Sequence, residues 1–360
     1  LSHTAGLSLH GYPGFGSKDT LPTIEASLSG ATNGSGDVRL IMEPGTKWQY
    51  SGGGYTLAQL LVEEVTKKKF SDHMRDRILL PLGMSRSSYD ITIKIISGSS
   101  RAYDALGEPT PNPRFTAQAA AGLHTTVEDL ATFAVSALAT KSGPPGRGIL
   151  RPETIALMIT PAPASDGTYG LGYGIDTVAQ DLIGVGHSGA NRGWQAYFCV
   201  IPTTGDGFVM VTNGSNGWSV YAQSRCDWVA WLTGTRPSCS KPLRLSLLNI
   251  VLENGTDAAV NRYLQLKRAS STEYGFHENE LNSLGYILMQ NGRLENALTI
   301  FKLNVSEYPE SWNPYDSLAE AFMNAGNKEL AIRNYQKSLE LNPQNTNAVE
   351  MLKKLDSAGK

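Results

Sequence analysis

The sequence predicts a mixed α+β (α/β) domain over residues 1–235, a connecting stretch over 236–275 and an all-α tail over 276–355. Three observations lead there. Up to about residue 235, short β-type runs and Gly/Pro turns alternate with a few helices, without the regular βαβ rhythm of a doubly wound fold. A hairpin signal, Pro202-Thr203-Thr204-Gly205-Asp206, joins two strand-like runs in that stretch. Beyond Thr233 to Pro242, where one Gly and two Pro mark a boundary, the chain repeats itself at a fixed 34-residue offset.

Each element has a local cause. From Gly53 to Phe70, Leu57, Leu60, Leu61 and Val65 recur with a helical period, with Thr56 as candidate cap. Thr125 or Thr126 caps a second helix through Val127, Leu130 and Phe133. Glu128 and Asp129 place negative charge at its positive end, and Asp129 is read as a helix-start carboxylate without chemistry. Trp194 to Ile201 and Gly207 to Thr212 are the two strands of the hairpin, and Val220 to Leu232 reads as a closing helix.

Composition narrows the function. A 360-residue chain with 41% hydrophobic and 18% charged residues has enough apolar surface for one or two cores. The net charge of -2 argues against nucleic acid held by a basic stripe, and no apolar run approaches the ~18 residues of a membrane span. Cys199, Cys226 and Cys239 lack metal-ligand spacing and no two histidines lie four apart, so neither metal nor cofactor is expected. Three free thiols are the expected state, with a Cys226–Cys239 pair as the alternative in an oxidising compartment. The chain opens on Leu1-Ser2-His3-Thr4-Ala5-Gly6-Leu7 with neither initiator Met nor targeting segment, and is read as a fragment or a processed chain.

The tail repeat is specific. Leu281, Leu284, Gly285, Gly292, Ala297, Phe301 and Pro309 recur as Tyr315, Leu318, Ala319, Gly326, Ala331, Tyr335 and Pro343. Small residues where paired helices touch, aromatics in the groove and a closing proline resemble the tetratricopeptide repeat, twice over. Ala259 and Tyr263 echo Ala297 and Phe301 and predict a degenerate helix pair ahead of the repeats. Such grooves imply a peptide or protein partner.

The chemistry is carried by three segments in order. The first is Leu1 to Leu7 with Gly11-Tyr12-Pro13-Gly14-Phe15. The second is Pro44-Gly45, then Tyr50-Ser51-Gly52-Gly53-Gly54-Tyr55, and later Pro81-Leu82-Gly83-Met84. The third is Gly186-His187-Ser188-Gly189-Ala190, 137 residues after Tyr50 when counted to His187. Together they resemble the class C β-lactamase, penicillin-binding protein and esterase superfamily of serine hydrolases, with its Ser-x-x-Lys, Tyr-x-Asn and Lys/His-x-Gly motifs.

The resemblance implies an antiparallel sheet flanked by helices and an acyl-enzyme mechanism on an ester, amide or D-amino-acid peptide. Tyr50 would move the serine proton, with His187 beside it, and the Ala190 N–H would help hold the oxyanion. Ser51, Gly52, Ser188 and Gly189 would contact substrate. Members are often exported, which implies a periplasmic or extracellular location. Two departures stand out. The nucleophilic Ser-x-x-Lys belongs upstream of Leu1, so this chain is expected to be inactive alone; Ser238 to Lys241 and Ser357 to Lys360 follow the third motif and are chance matches. Gly52 replaces the usual Asn, which favours ester or peptide cleavage over β-lactam turnover.

Plainer readings compete with these. Tyr50 and His187 could be structural, as His3 and His124 are expected to be, and Tyr12 and Phe15 read first as loop packing. Gly186-His187-Ser188-Gly189-Ala190 nearly matches a Gly-x-Ser-x-Gly elbow, but the strand-like run after it cannot supply the elbow's helix. Gly170-Leu171-Gly172-Tyr173-Gly174 is too weak for a dinucleotide fingerprint. The non-enzyme alternative is a dead domain that scaffolds peptide-binding repeats.

Overall fold

The computed structural model describes residues 1–138 and 149–357, which form two compact units, Leu1–Pro237 and Ser238–Lys360. In the first unit the elements that position the site are α1 (Gly52–Thr66), α2 (Val127–Ser136), β1 (Gly174–Ala179), β2 (Leu182–Asn191), β3 (Trp194–Val200), β4 (Gly207–Thr212) and α3 (Gly217–Thr233).

The four strands form an antiparallel meander in sequence order. Side-chain alternation divides them between two cores. Val185, Phe198 and Val200 pack with Leu130 and Ala134 of α2. On the other face Val178, Cys199 and Ile201 meet Trp228 and Val229 of α3. The result is a sheet covered by helices on both faces.

The register has one feature that matters for the site. β1 pairs with β2 from Leu182 to Gly186 and then stops, whereas β3 pairs with β2 as far as Asn191. His187 to Asn191 are therefore paired on one side only. At Gly186 the two strands pass so closely that a Cβ would lie 2.0 Å from the Phe198 carbonyl oxygen. Any side chain there would push β2 off β3, so glycine is required immediately before the third motif.

α1 departs from its expected cap. Its cap is Ser51, whose hydroxyl accepts from the Gly54 N–H at 3.0 Å, and Thr56 lies inside the helix, donating to the Gly52 carbonyl. The buried stripe is Gly52, Gly53, Thr56 and Gln59, while Leu57, Leu61 and Val65 are 46%, 63% and 74% exposed. The reason is local. Small residues let the mouth of α1 approach the segment at residues 8–11, and the Gln59 amide bridges the Thr116 carbonyl and the Ala119 N–H. The helical period holds, while the expected cap Thr56 gives way to Ser51.

Thr126 caps α2, and Asp129 in its first turn is buried, accepting from the Arg86 N–H and the Ser87 hydroxyl. α3 starts three residues before the sequence expectation, at Gly217. Cys226 and Cys239 are both disulfide-bonded and Cys199 is a buried free thiol, which overturns the expectation of three free thiols.

The second unit is all helical: α4 (Leu243–Asn254), α5 (Thr256–Arg268), α6 (Glu278–Gln290), α7 (Leu294–Glu307), α8 (Trp312–Asn324), α9 (Lys328–Leu341) and α10 (Thr346–Ser357). Ala297, Phe301, Ala319, Ala331 and Tyr335 are fully buried, as are Ala259 and, within 1%, Tyr263. Phe301 fills the space above Gly285, and the turns inside the α6–α7 and α8–α9 pairs use Gly292 and Gly326 at φ 74° and 73°.

Candidate active site

The first segment is strapped across the mouth of α1. Helix starts leave N–H groups without partners, and here neighbouring main chain supplies them. Gly52 N–H donates to the His10 carbonyl at 3.0 Å and Gly53 N–H to the Leu9 carbonyl at 3.1 Å. The Ser51 hydroxyl donates to the Ser8 carbonyl at 2.6 Å and its N–H donates to His3 Nδ1 at 3.0 Å. Ser51 is 3% exposed with its hydroxyl engaged on both sides, so its expected substrate contact is replaced by a capping role.

These straps present Tyr50. Its ring lies 4.1 Å from that of His3, 4.8 Å from His10, 6.3 Å from Trp48 and 6.2 Å from His187. Tyr50 and His187, distant in sequence, thus meet in one aromatic cluster. Burial pushes the Tyr50 phenol above its ordinary range, so in this arrangement it holds its proton at neutral pH.

His3, expected to be structural, is packed inside the cluster. It is 6% exposed, has φ 58° and lies against Tyr50, Tyr55, Tyr169 and Trp48. Burial first, then the neighbouring His187 and His10, hold its imidazole down at about 4. It is neutral at pH 7, with Nδ1 accepting and the proton on Nε2, an atom that has no partner. The signal in the sequence was the His-Thr-Ala-Gly-Leu run itself, which marks a segment without revealing which ring it stacks on. His124 pairs through its main chain with Ser88 and also lines the cleft.

The third motif lies opposite. His187 is half-buried, and Ser188, Gly189 and Ala190 are exposed along the free edge of β2. A cleft of about 2370 Å³ is bounded by His10, Tyr50, Gly52 and His187 to Ala190, with Tyr12 and Trp48 on its wall. Tyr12 reaches Thr56 through its hydroxyl at 2.7 Å, while Phe15 pairs with Arg114 through its main chain and does not line the cleft. A Cβ at Gly189 would meet nothing within 4 Å.

Gly52 belongs to the cleft through its backbone. A Cβ there would lie 2.9 Å from the His10 carbonyl oxygen. Restoring the motif's amide with Gly52→Asn is therefore expected to destabilise the first unit by about 1–3 kcal/mol through overpacking. The readout is a lower urea midpoint, and an unchanged midpoint would show that the segment at residues 8–11 gives way freely.

β3 follows Ser188 after a tight turn, so no elbow helix is present. Of the two Ser-x-x-Lys matches, Ser238 to Lys241 is not helical and Lys241 Nζ is bound to Glu273 at 2.8 Å. The side chains of Ser357 and Lys360 lie outside the described residues. Among the described residues no group of three or more His, Cys, Asp or Glu is arranged to hold a metal ion, and no helix is long and apolar enough to cross a membrane.

A family model described as Beta-lactamase matches residues 1–224, and a tetratricopeptide repeat model matches residues 314–345. Penicillin-binding protein 4 of Amycolatopsis lactamdurans is 26% identical over 251 residues, covering 66% of this chain and 64% of its own. The human protein described as putative beta-lactamase-like 1 is 28% identical over 147 residues, covering 40% and 29%. The chain thus spans less than two thirds of the length of these relatives. Among solved structures, the octameric penicillin-binding protein homologue from Pyrococcus abyssi has a TM-score of 0.52 at 25% identity, covering 70% of this chain and 59% of that one. A D-amino acid amidase from Ochrobactrum anthropi SV3, complexed with D-phenylalanine, has a TM-score of 0.50 at 24% identity over 65% and 76%, a likeness of fold.

Proposed function

The chain belongs to the beta-lactamase family, and on that premise we propose that its first unit is the Tyr50–His187 half of a serine-hydrolase site. The site transfers the acyl group of an ester, amide or D-amino-acid peptide through an acyl-enzyme, on a serine carried outside residues 1–360. The observation that carries this is the meeting of Tyr50 and His187, rings 6.2 Å apart, beside an unpaired strand edge in an open cleft.

Each group has a task. Tyr50 takes the serine proton and returns it to the leaving group, which requires a neighbouring positive charge to lower its phenol. Peptide groups alternate along a strand, so Ser188 and Ala190 turn their N–H groups to the same edge. The Ser188 carbonyl meets the His187 ring, which supports an outward Ala190 N–H as oxyanion donor. Open space above Gly189 leaves room for the acyl group. Gly52 offers no side-chain amide, which favours esters and peptides over β-lactams. No cofactor is invoked. The disulfide-bonded Cys226 and Cys239 support an oxidising location, periplasmic or extracellular. The repeat unit is read as a docking surface for a peptide or protein partner.

The test is intact mass after exposure to a fluorophosphonate and to a fluorescent penicillin, for the 360-residue chain and for a version extended upstream. An adduct on the extended version only, at a serine before Leu1, is the expected result. Stoichiometric labelling of Ser188 or Ser238 in the shorter chain would reassign the nucleophile. Silence from both would favour a scaffold that binds peptides through its repeats.

A further inference from the structure

The second unit repeats its backbone closely enough for one buried polar position to be matched with its counterpart. α8 and α9 begin and end at the 34-residue offset from α6 and α7, and α10 begins at the same offset from α8. The offset carries Asn282 of α6 onto Asp316 of α8 and Asn304 of α7 onto Ser338 of α9. It also carries Ser311, just before α8, onto Asn345, just before α10.

In the second repeat these side chains satisfy one another. Asn345 Nδ2 donates to Asp316 Oδ1 at 2.7 Å and to Ser338 Oγ at 2.9 Å, and Asn347 Nδ2 donates to Asp316 Oδ2 at 2.9 Å. Asn345 Oδ1 accepts from the Ala348 N–H at 3.3 Å and so caps α10. The first repeat has the same backbone and different chemistry. Ser311 makes no side-chain bond as the cap of α8, and Asn313, the counterpart of Asn347, donates to Glu278 at 3.2 Å instead. Asn304 is fully buried. Its Oδ1, its Nδ2 and Asn282 Oδ1 have no hydrogen-bond partner among the described residues. Serine is too short to carry an amide to them, as Asn345 does one repeat later.

We infer that Asn282 and Asn304 bind buried water between α6, α7 and α8, at the place that the Asn345 amide takes in the next repeat. The pattern of donors and acceptors selects the ligand. Two amide oxygens need protons there, and one amide N–H needs an acceptor. An ammonium group or a metal ion cannot accept, and a carboxylate or phosphate cannot donate. Water does both, so one kind of ligand serves all three atoms. Its two O–H groups can bridge Asn282 Oδ1 and Asn304 Oδ1, as the two protons of Asn345 Nδ2 bridge Asp316 and Ser338. The joint between the first and second repeats is thus closed by solvent, and that between the second repeat and α10 by the chain's own carboxylate and amide.

The experiment compares the 360-residue chain with Ser311→Asn, which brings an amide to the cap of α8. A crystal structure that resolves ordered water is expected to show it within hydrogen-bond distance of Asn282 Oδ1 and Asn304 in the unaltered chain. In Ser311→Asn the introduced amide should stand in its place. NMR magnetisation transfer from water to the Asn304 side-chain amide supplies a reading in solution, strong in the unaltered chain and lost in the variant. Amide hydrogen exchange in the first turn of α8 should slow by about fivefold in Ser311→Asn, because the new side chain also supplies a cap. Ser306→Asn, at an exposed position of α7, should change neither reading. None of these measurements needs a nucleophile, so they stand apart from the labelling test. A direct Asn282–Asn304 bond without water, water that stays in Ser311→Asn, or unaltered exchange in that variant would each overturn the inference.

Discussion

Tyr50→Phe is expected to lower kcat/KM for an activated ester by about 10²–10⁴-fold in the form of the protein that carries a nucleophile, with the loss in kcat rather than KM. The change removes one hydroxyl and keeps the ring that stacks on His3 and His10, so the melting temperature should hold. Burial raises the Tyr50 phenol, which makes its activity depend on a positive neighbour. The rate should therefore respond to the titration of His187 in the unaltered protein and lose that response when Tyr50 is gone. A loss below tenfold with an unchanged pH profile would remove Tyr50 from the chemistry.

His3→Ala should destabilise the first unit by about 2–4 kcal/mol. It leaves the Ser51 N–H without an acceptor inside the fold and opens a hole beneath Tyr50, Tyr55 and Tyr169. His3→Asn should cost about half as much, since Asn tolerates φ 58° and offers an oxygen to the same N–H. The pH dependence separates the two contributions. An imidazole held at about 4 in the folded state and near 6.5 when unfolded binds fewer protons folded than unfolded between those values. Its stabilisation is present above pH 6.5 and is lost as pH falls towards 4, by roughly 3 kcal/mol at most. Urea midpoints across that window should fall more steeply for the unaltered chain than for His3→Asn; parallel curves would show that His3 titrates freely.

The strand hairpin after His187-Ser188-Gly189 was legible, because the run from Trp194 to Val200 is strand-like and Pro202 to Asp206 carries turn residues, both local signals. The same holds for the tail, where Gly285, Phe301, Ala319 and Tyr335 repeat at one spacing because each repeat solves the same packing problem. The face of α1 was not legible. Leu57, Leu61 and Val65 point to a core by pattern, yet the helix is held through Gly52, Gly53 and the Gln59 amide, whose partners at residues 8–11 and 116–119 are remote in sequence. The partners of His3 were hidden for the same reason, because a ring stacked on Tyr50 and bonded to Ser51 leaves no periodic trace.

The sequential order of β1 to β4 has a kinetic consequence. Each strand pairs with its chain neighbour, so the sheet closes through short loops at low entropic cost. The cluster around Tyr50 requires residues 1–10, 48–55, 169 and 187 to gather at once, a far longer closure. During refolding the meander is expected to mature first and the cleft last, so that a nascent chain gains protease resistance before it gains a binding site. A stopped-flow record in which quenching of a ring beside Tyr50 keeps pace with the far-ultraviolet signal of the sheet would contradict that order.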